Sequence, residues 1–122
     1  MTDNILQAVD EGILVVTLNR PGKNNAVDTA MWLSIRDTFR AAAEDPGIRC
    51  VLLCGAGDNF CSGVDLASFS DTPPGEEHPF EAAARAVVEF DKPLVAAAQG
   101  VAIGGGATVL FHADIVYVAQ SL

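Results

Sequence analysis

LVAAAQGVAIGGGATVL, residues 94–110, is the stretch on which the reading of the fold turns. A strand-like apolar run, LVAAA, leads into Gln99-Gly100, and three consecutive glycines, Gly104 to Gly106, follow inside a second apolar run. Glycine inside a helix or strand costs about 0.5–1 kcal/mol relative to alanine, so a triplet marks backbone that bends unusually or is approached closely. Two readings fit: tight packing of a strand on a helix, or a ligand atom brought against the main chain. The same order occurs upstream, where VLLC (51–54) runs into GAGDNFCSGVDL (55–66). Twice, then, an apolar strand enters a glycine-bearing turn and a short helix, the second helix being expected near 106–112.

Outward from these turns, ILQAV (5–9) and ILVVTL (13–18) flank Asp10-Glu11-Gly12 and read as a hairpin. The loop NRPGKNNA follows, and Asp28 is placed to cap a helix in which Met31, Ile35 and Phe39 recur at four-residue spacing. Asp45-Pro46-Gly47 ends that helix, and RCVLLC (49–54), apolar throughout after Arg49, is a strand of the kind buried in a parallel sheet. SFSDTPPGEEH (68–78) reads as a mobile surface loop that leaves His78 solvated, a second helix spans Phe80–Glu89, and IVYVA (115–119) is a last strand. Strands alternating with helices predict an α/β domain with a mainly parallel sheet. Both glycine turns then leave carboxyl ends of strands, where such sheets bind ligands, and can face one pocket.

Unpaired N–H groups and the macrodipole make each helix start electropositive. One donor from each turn, converging on an oxygen that gains negative charge, forms an oxyanion hole, and each donor contributes about 3 kcal/mol to the transition state. Other phosphate-binding patterns fit worse. GAGDNF has Phe60 where a dinucleotide fingerprint needs its third glycine, and no G-x-x-x-x-G-K-[ST] occurs.

A formal charge of −9, from 16 acidic against 7 basic residues, with the basic ones scattered, argues against nucleic acid or an anionic membrane as partner. With 50% hydrophobic residues and a mean hydropathy of +0.30, the 122-residue chain is more apolar than a small domain needs, so burial against something else is expected. Leu94–Phe111 is uncharged and long enough for a membrane helix, but Pro93, Gln99 and its glycines favour strand, turn and helix. Cys50, Cys54 and Cys61 form neither a C-x-x-C pair nor an even framework, so no disulfide or zinc site is read, and no signal peptide precedes the hairpin. A reducing, cytoplasmic location is expected.

Cys61-Ser62 with His112 and Asp114 is a conceivable hydrolytic set, though the G-x-S-x-G elbow is lacking. Asp65 is either a base or the cap of its turn, and Trp32 and Tyr117 read as packing residues.

Three stretches in order, VVTLNRPGKNNAVD, GAGDNFCSGVDL and DKPLVAAAQGVAIGGGATVLFHADIVYVA, resemble the crotonase family of enoyl-CoA hydratases and isomerases. The resemblance implies a ClpP/crotonase-like α/β fold built on a repeated strand–strand–helix core, with residues 1–122 corresponding to the N-terminal part of an acyl-CoA-binding domain. It implies a coenzyme A thioester as substrate, with no further cofactor and no metal. The thioester oxygen would lie between the backbone N–H groups of Val64 and Gly105. Lys23, Asn24, Asn25 and Ala26 match the loop beside the CoA moiety, with Ser62, Gly63, Asp65, Gly104 and Thr108 also lining the site. Hydratases of the family carry a glutamate where Thr108 stands, and their second carboxylate falls beyond Leu122. For a full-length parent an isomerase is therefore favoured over a hydratase, with the isolated chain weak or inactive, and the alternative is a truncated, non-catalytic relative serving as a binding or assembly module. By the same resemblance the assembly would be a trimer or hexamer.

Overall fold

The tight β-hairpin at the N-terminal end sets the sheet. The computed structural model describes residues 4–61, 75–100 and 113–118. Strands β1 (Ile5–Asp10) and β2 (Ile13–Leu18) pair antiparallel, Asp10 opposite Ile13, around Glu11 and Gly12. Both turn residues are left-handed, at φ 51° and 84°, as a two-residue turn matched to the strand twist requires. The Arg49 guanidinium donates to the Glu11 carbonyl (2.8 Å), and the Arg49 backbone N–H donates to the Gly12 carbonyl (2.8 Å), tying the turn to the start of the next strand.

Strands β3 (Cys50–Gly55), β4 (Leu94–Ala98) and β5 (Ile115–Val118) then add in sequence order, each parallel to its neighbour and to β2. Helix α1 (Thr29–Glu44) connects β2 to β3, and α2 (Pro79–Glu89) lies between β3 and β4. The side chains of Leu14, Val16, Leu18, Val51, Leu53, Leu94, Ala96 and Ala98 alternate along the strands and are buried in the core that includes both helices. The intervening positions are half-buried or exposed, with Leu6, Ile13 and Ile115 left accessible on that second face.

Asp28 caps α1 by accepting from the Met31 N–H (2.9 Å), and Met31, Ile35 and Phe39 are all buried, as the spacing predicts. Trp32 is also buried and meets Phe80 edge-on at 4.8 Å, while Phe39 meets Phe90 at 5.2 Å. These edge-to-face contacts join the two helices, each contributing about 0.5–1.5 kcal/mol beyond burial.

Three elements have boundaries that differ from the sequence reading. β1 runs on to Asp10, because the turn needs only two residues, and β3 spans Cys50–Gly55. α2 begins at Pro79, whose missing N–H costs nothing at a first helical position. The view of His78 is corrected as well: it is half-buried, and its Nδ1 caps α2 by accepting from the Phe80 N–H (3.0 Å). Glu77, also in the expected loop, pairs with Arg85 of α2. Lastly, a one-turn 3-10 helix, Pro21–Lys23, interrupts the loop after β2. The loop portion 68–74, the helix expected near 106–112 and the end of the last strand at Ala119 lie outside the described residues.

The Lys92 ammonium, at the entrance to β4, donates to the carbonyls of Ala42 (2.6 Å), Asp45 (2.7 Å) and Ile48 (2.7 Å). It adds a charged donor to carbonyls at and just beyond the C-terminal end of α1, of which those of Ala42 and Asp45 also accept a main-chain N–H, and it binds that helix to β3 and β4. Lys92→Met keeps the stem and deletes the donors. Urea denaturation should show a loss of about 2–4 kcal/mol, and a loss under 0.5 kcal/mol would contradict this role.

Candidate functional site

At the carboxyl ends of the parallel strands, three connections meet. The first is residues 19–28, after β2. Pro21–Lys23 turn once, and Asn24 and Asn25 take left-handed conformations at φ 52° and 57°. Two successive left-handed non-glycine residues are unusual, and asparagine tolerates that region because its side chain can bond locally. Here the loop closes on itself: the Asn25 N–H donates to the Arg20 carbonyl (2.9 Å), and the Arg20 N–H donates to Asn25 Oδ1 (2.7 Å). The Arg20 guanidinium also donates to the Ala26 carbonyl (3.1 Å).

The second connection is the turn after β3. Asn25 is 0% exposed, and its Nδ2 reaches across to donate to the carbonyls of Ala56 (2.8 Å) and Asn59 (2.7 Å). The Ala56 N–H donates to the Leu18 carbonyl (2.8 Å), and Asn59 Nδ2 donates to Asn24 Oδ1 (3.0 Å). Gly57, at φ 78°, lies against Pro21, where an added Cβ would come within 2.9 Å of the ring. An added Cβ at Gly55 would meet the Phe60 carbonyl oxygen at 2.6 Å, so the turn doubles back tightly on itself. Phe60 and Cys61 then enter the core.

Third is the turn after β4. The Phe60 N–H donates to the Gln99 carbonyl (2.7 Å), and Gln99 Nε2 donates to the carbonyls of Gly55 (2.7 Å) and Gly57 (3.1 Å). Gly100 sits at φ 59° with its Cα hydrogens against Asp58 and Asn59. The two glycine turns read from the sequence are therefore in direct contact, joined by side-chain and main-chain hydrogen bonds.

Of the residues singled out for ligand binding, Lys23 and Asn24 are exposed at the rim and Ala26 is half-buried. Asn25 differs from them: its side chain is wholly engaged by backbone, so it holds the loop rather than facing solvent. Ser62, Gly63, Val64, Asp65, Gly104, Gly105 and Thr108 lie outside the described residues, as does His112. Of the conceivable hydrolytic set, Cys61 and Asp114 are among the described residues and lie apart. Asp114 accepts from the Leu94 N–H (2.7 Å) at the amino end of β4, whereas Cys61 adjoins the carboxyl end, about 13 Å away along a five-residue strand. Among the described residues no group of three or more His, Cys, Asp and Glu side chains could hold a metal ion, and no helix is long and apolar enough to cross a membrane.

Sequence reasoning missed the tasks of Asn25 and Gln99. A usable signal existed for Gln99, a polar amide between a buried strand and a turn glycine. Gly100→Ala tests the junction: its Cβ would fall 2.2 Å from the Asp58 carbonyl oxygen in a left-handed conformation. The substitution should cost at least about 3 kcal/mol in denaturant unfolding, and a loss below 1 kcal/mol would contradict the observed closeness of the turns.

Comparison with known proteins identifies the fold and the family. Residues 8–121 match the enoyl-CoA hydratase/isomerase family. The 1,2-epoxyphenylacetyl-CoA isomerase of Escherichia coli K12 is 35% identical over 129 aligned positions, covering 99% of this chain and 49% of that protein. An enoyl-CoA hydratase of Mycobacterium tuberculosis is 37% identical, covering 88% of this chain and 43% of that one. The solved enoyl-CoA hydratase/isomerase of Pseudoalteromonas atlantica T6c superposes with a TM-score of 0.89 at 32% identity, covering 98% of this chain and 47% of that chain. The chain thus spans about half the length of these relatives. With nearly its whole length matched, this chain belongs to the enoyl-CoA hydratase/isomerase family.

Proposed function

We propose that the chain binds an acyl-CoA thioester with its carbonyl oxygen between the backbone N–H groups of Val64 and Gly105, and that in a full-length parent this site supports double-bond migration in preference to hydration. The observation that carries the reading is the hydrogen-bonded junction of the two glycine turns at Gln99, Gly55, Gly57 and Phe60. It brings together the segments that lead into residues 62–65 and 101–106. Lys23, Asn24 and Ala26 border the same junction, where the exposed Lys23 ammonium suits the phosphates of CoA. Ser62, Gly63, Asp65, Gly104 and Thr108 complete the proposed lining, and the cofactor portion of the substrate is CoA itself.

Thr108 favours migration. Moving a double bond from C3 to C2 takes a proton from C2, leaves an enolate on the thioester oxygen, and returns a proton to C4. One base can carry that proton, and two backbone donors stabilise the oxygen throughout. Water addition asks for a second group to activate the water, and threonine is a poor base near neutral pH. Among residues of this chain Asp65 is the first candidate for the base. The accessible apolar positions on the second sheet face, Leu6, Ile13 and Ile115, support assembly into a homo-oligomer.

The test supplies a 3-enoyl-CoA and a 2-enoyl-CoA separately and follows migration and hydration. The reading expects migration without efficient hydration from a full-length parent, and loss of thioester-enolate binding in Val64→Pro, which deletes one donor. Efficient hydration would overturn the argument from Thr108. Tight CoA binding with neither reaction would favour the binding-module alternative.

A further inference from the structure

Two primary amides account for most of the acceptors in the turn after β3. Asn25 takes the carbonyls of Ala56 and Asn59, and Gln99 takes those of Gly55 and Gly57. The amides come from opposite sides, Asn25 from the connection after β2 and Gln99 from the end of β4. The Gln99 main chain is used as well, since its carbonyl accepts from the Phe60 N–H at 2.7 Å. Gln99 is thus bonded to the first turn at three points, while Gly100 beside it leaves no room for a Cβ against Asp58.

We propose that Gln99 is a positioning residue of the acyl-CoA site: its side-chain amide fixes the separation of the two glycine turns, and so the placement of one backbone donor relative to the other. This rests on the thioester reading above. The chemistry requires an amide of this length. A carboxylate of the same shape has no donor and would set negative charge against two carbonyl oxygens, and a shorter asparagine would draw the turns together or lose both bonds. Because a peptide unit is planar and trans, turning a carbonyl toward Gln99 turns the next N–H the other way. Gln99 therefore orients the main chain of the first turn as well as anchoring it. Such orientation matters most where charge develops on a single oxygen, because a displacement near 1 Å costs about a hundredfold in rate.

The decisive variants are Gln99→Met, which keeps length and shape without the donors, and Gln99→Glu, which adds repulsion. The probe is acetoacetyl-CoA, whose C2 proton is released to solvent when an oxyanion site stabilises the enolate, giving an ultraviolet band. CoA itself serves as the control for binding. Gln99→Met should bind CoA within about threefold of the parent, yet the enolate fraction of bound acetoacetyl-CoA should fall about tenfold to a hundredfold. Gln99→Glu, if it folds, should lose at least as much. An undiminished enolate band in folded Gln99→Met would overturn the proposal, and so would parallel losses of CoA affinity and enolate, which denote general damage. A parent that binds CoA thioesters without an enolate band, or binds none, overturns the functional reading instead. Gln99 is then decided by amide hydrogen exchange: faster exchange confined to residues 56–60 in Gln99→Met upholds its hold on the turn, and unchanged exchange overturns it.

Discussion

The buried side-chain amide of Asn25 is the interaction on which the carboxyl end of the sheet depends. It offers an acceptor and two donors on a short, planar group, and the surrounding backbone presents the matching donor at Arg20 and acceptors at Ala56 and Asn59. With the residue fully buried, no water replaces a lost partner, so each unmade bond would cost about 1–3 kcal/mol. The local price is a left-handed backbone at Asn25 and at its neighbour Asn24. In return the connection from β2 to α1 is fixed against β3, and the Asp28 cap begins α1 three residues later.

From that tie the polar framework extends inward. Asn25 orients the turn after β3, the turn receives Gln99, and Gly100 closes against its far side. Three loops that belong to different crossovers become one rigid rim. The hydrophobic layer beneath supplies most of the stability, through the alternating strand residues and the two aromatic pairs between α1 and α2. The rim contributes placement. Burial is non-directional and tolerates shifts, whereas two carbonyls on one amide nitrogen tolerate little. A site that works by aiming backbone N–H groups needs the second kind of force.

Periodicity made the layer legible: the hairpin, the Asp28 cap, the Met31–Ile35–Phe39 face and the parallel strands all follow from patterns within a few neighbouring residues. The paired glycine turns were legible too, each as an apolar strand running into a glycine. The rim was not. Asn25 and Ala56 are far apart in sequence, as are Gln99 and Gly55, and an amide in a loop looks the same whether it faces water or backbone. His78 shows the same blindness. Acidic, proline-containing surroundings suggested solvent, and only the helix start at Pro79 gave its imidazole an N–H to accept.

The central claim is that Asn25 and Gln99 act on one turn as a unit. A double-mutant cycle of Asn25→Ala and Gln99→Ala, measured as unfolding free energy in urea, tests it most directly. The account predicts a coupling of at least about 1 kcal/mol, because the second amide gains little from a turn the first no longer holds. Losses that add within about 0.3 kcal/mol would mean that the two amides act independently, and would contradict the account.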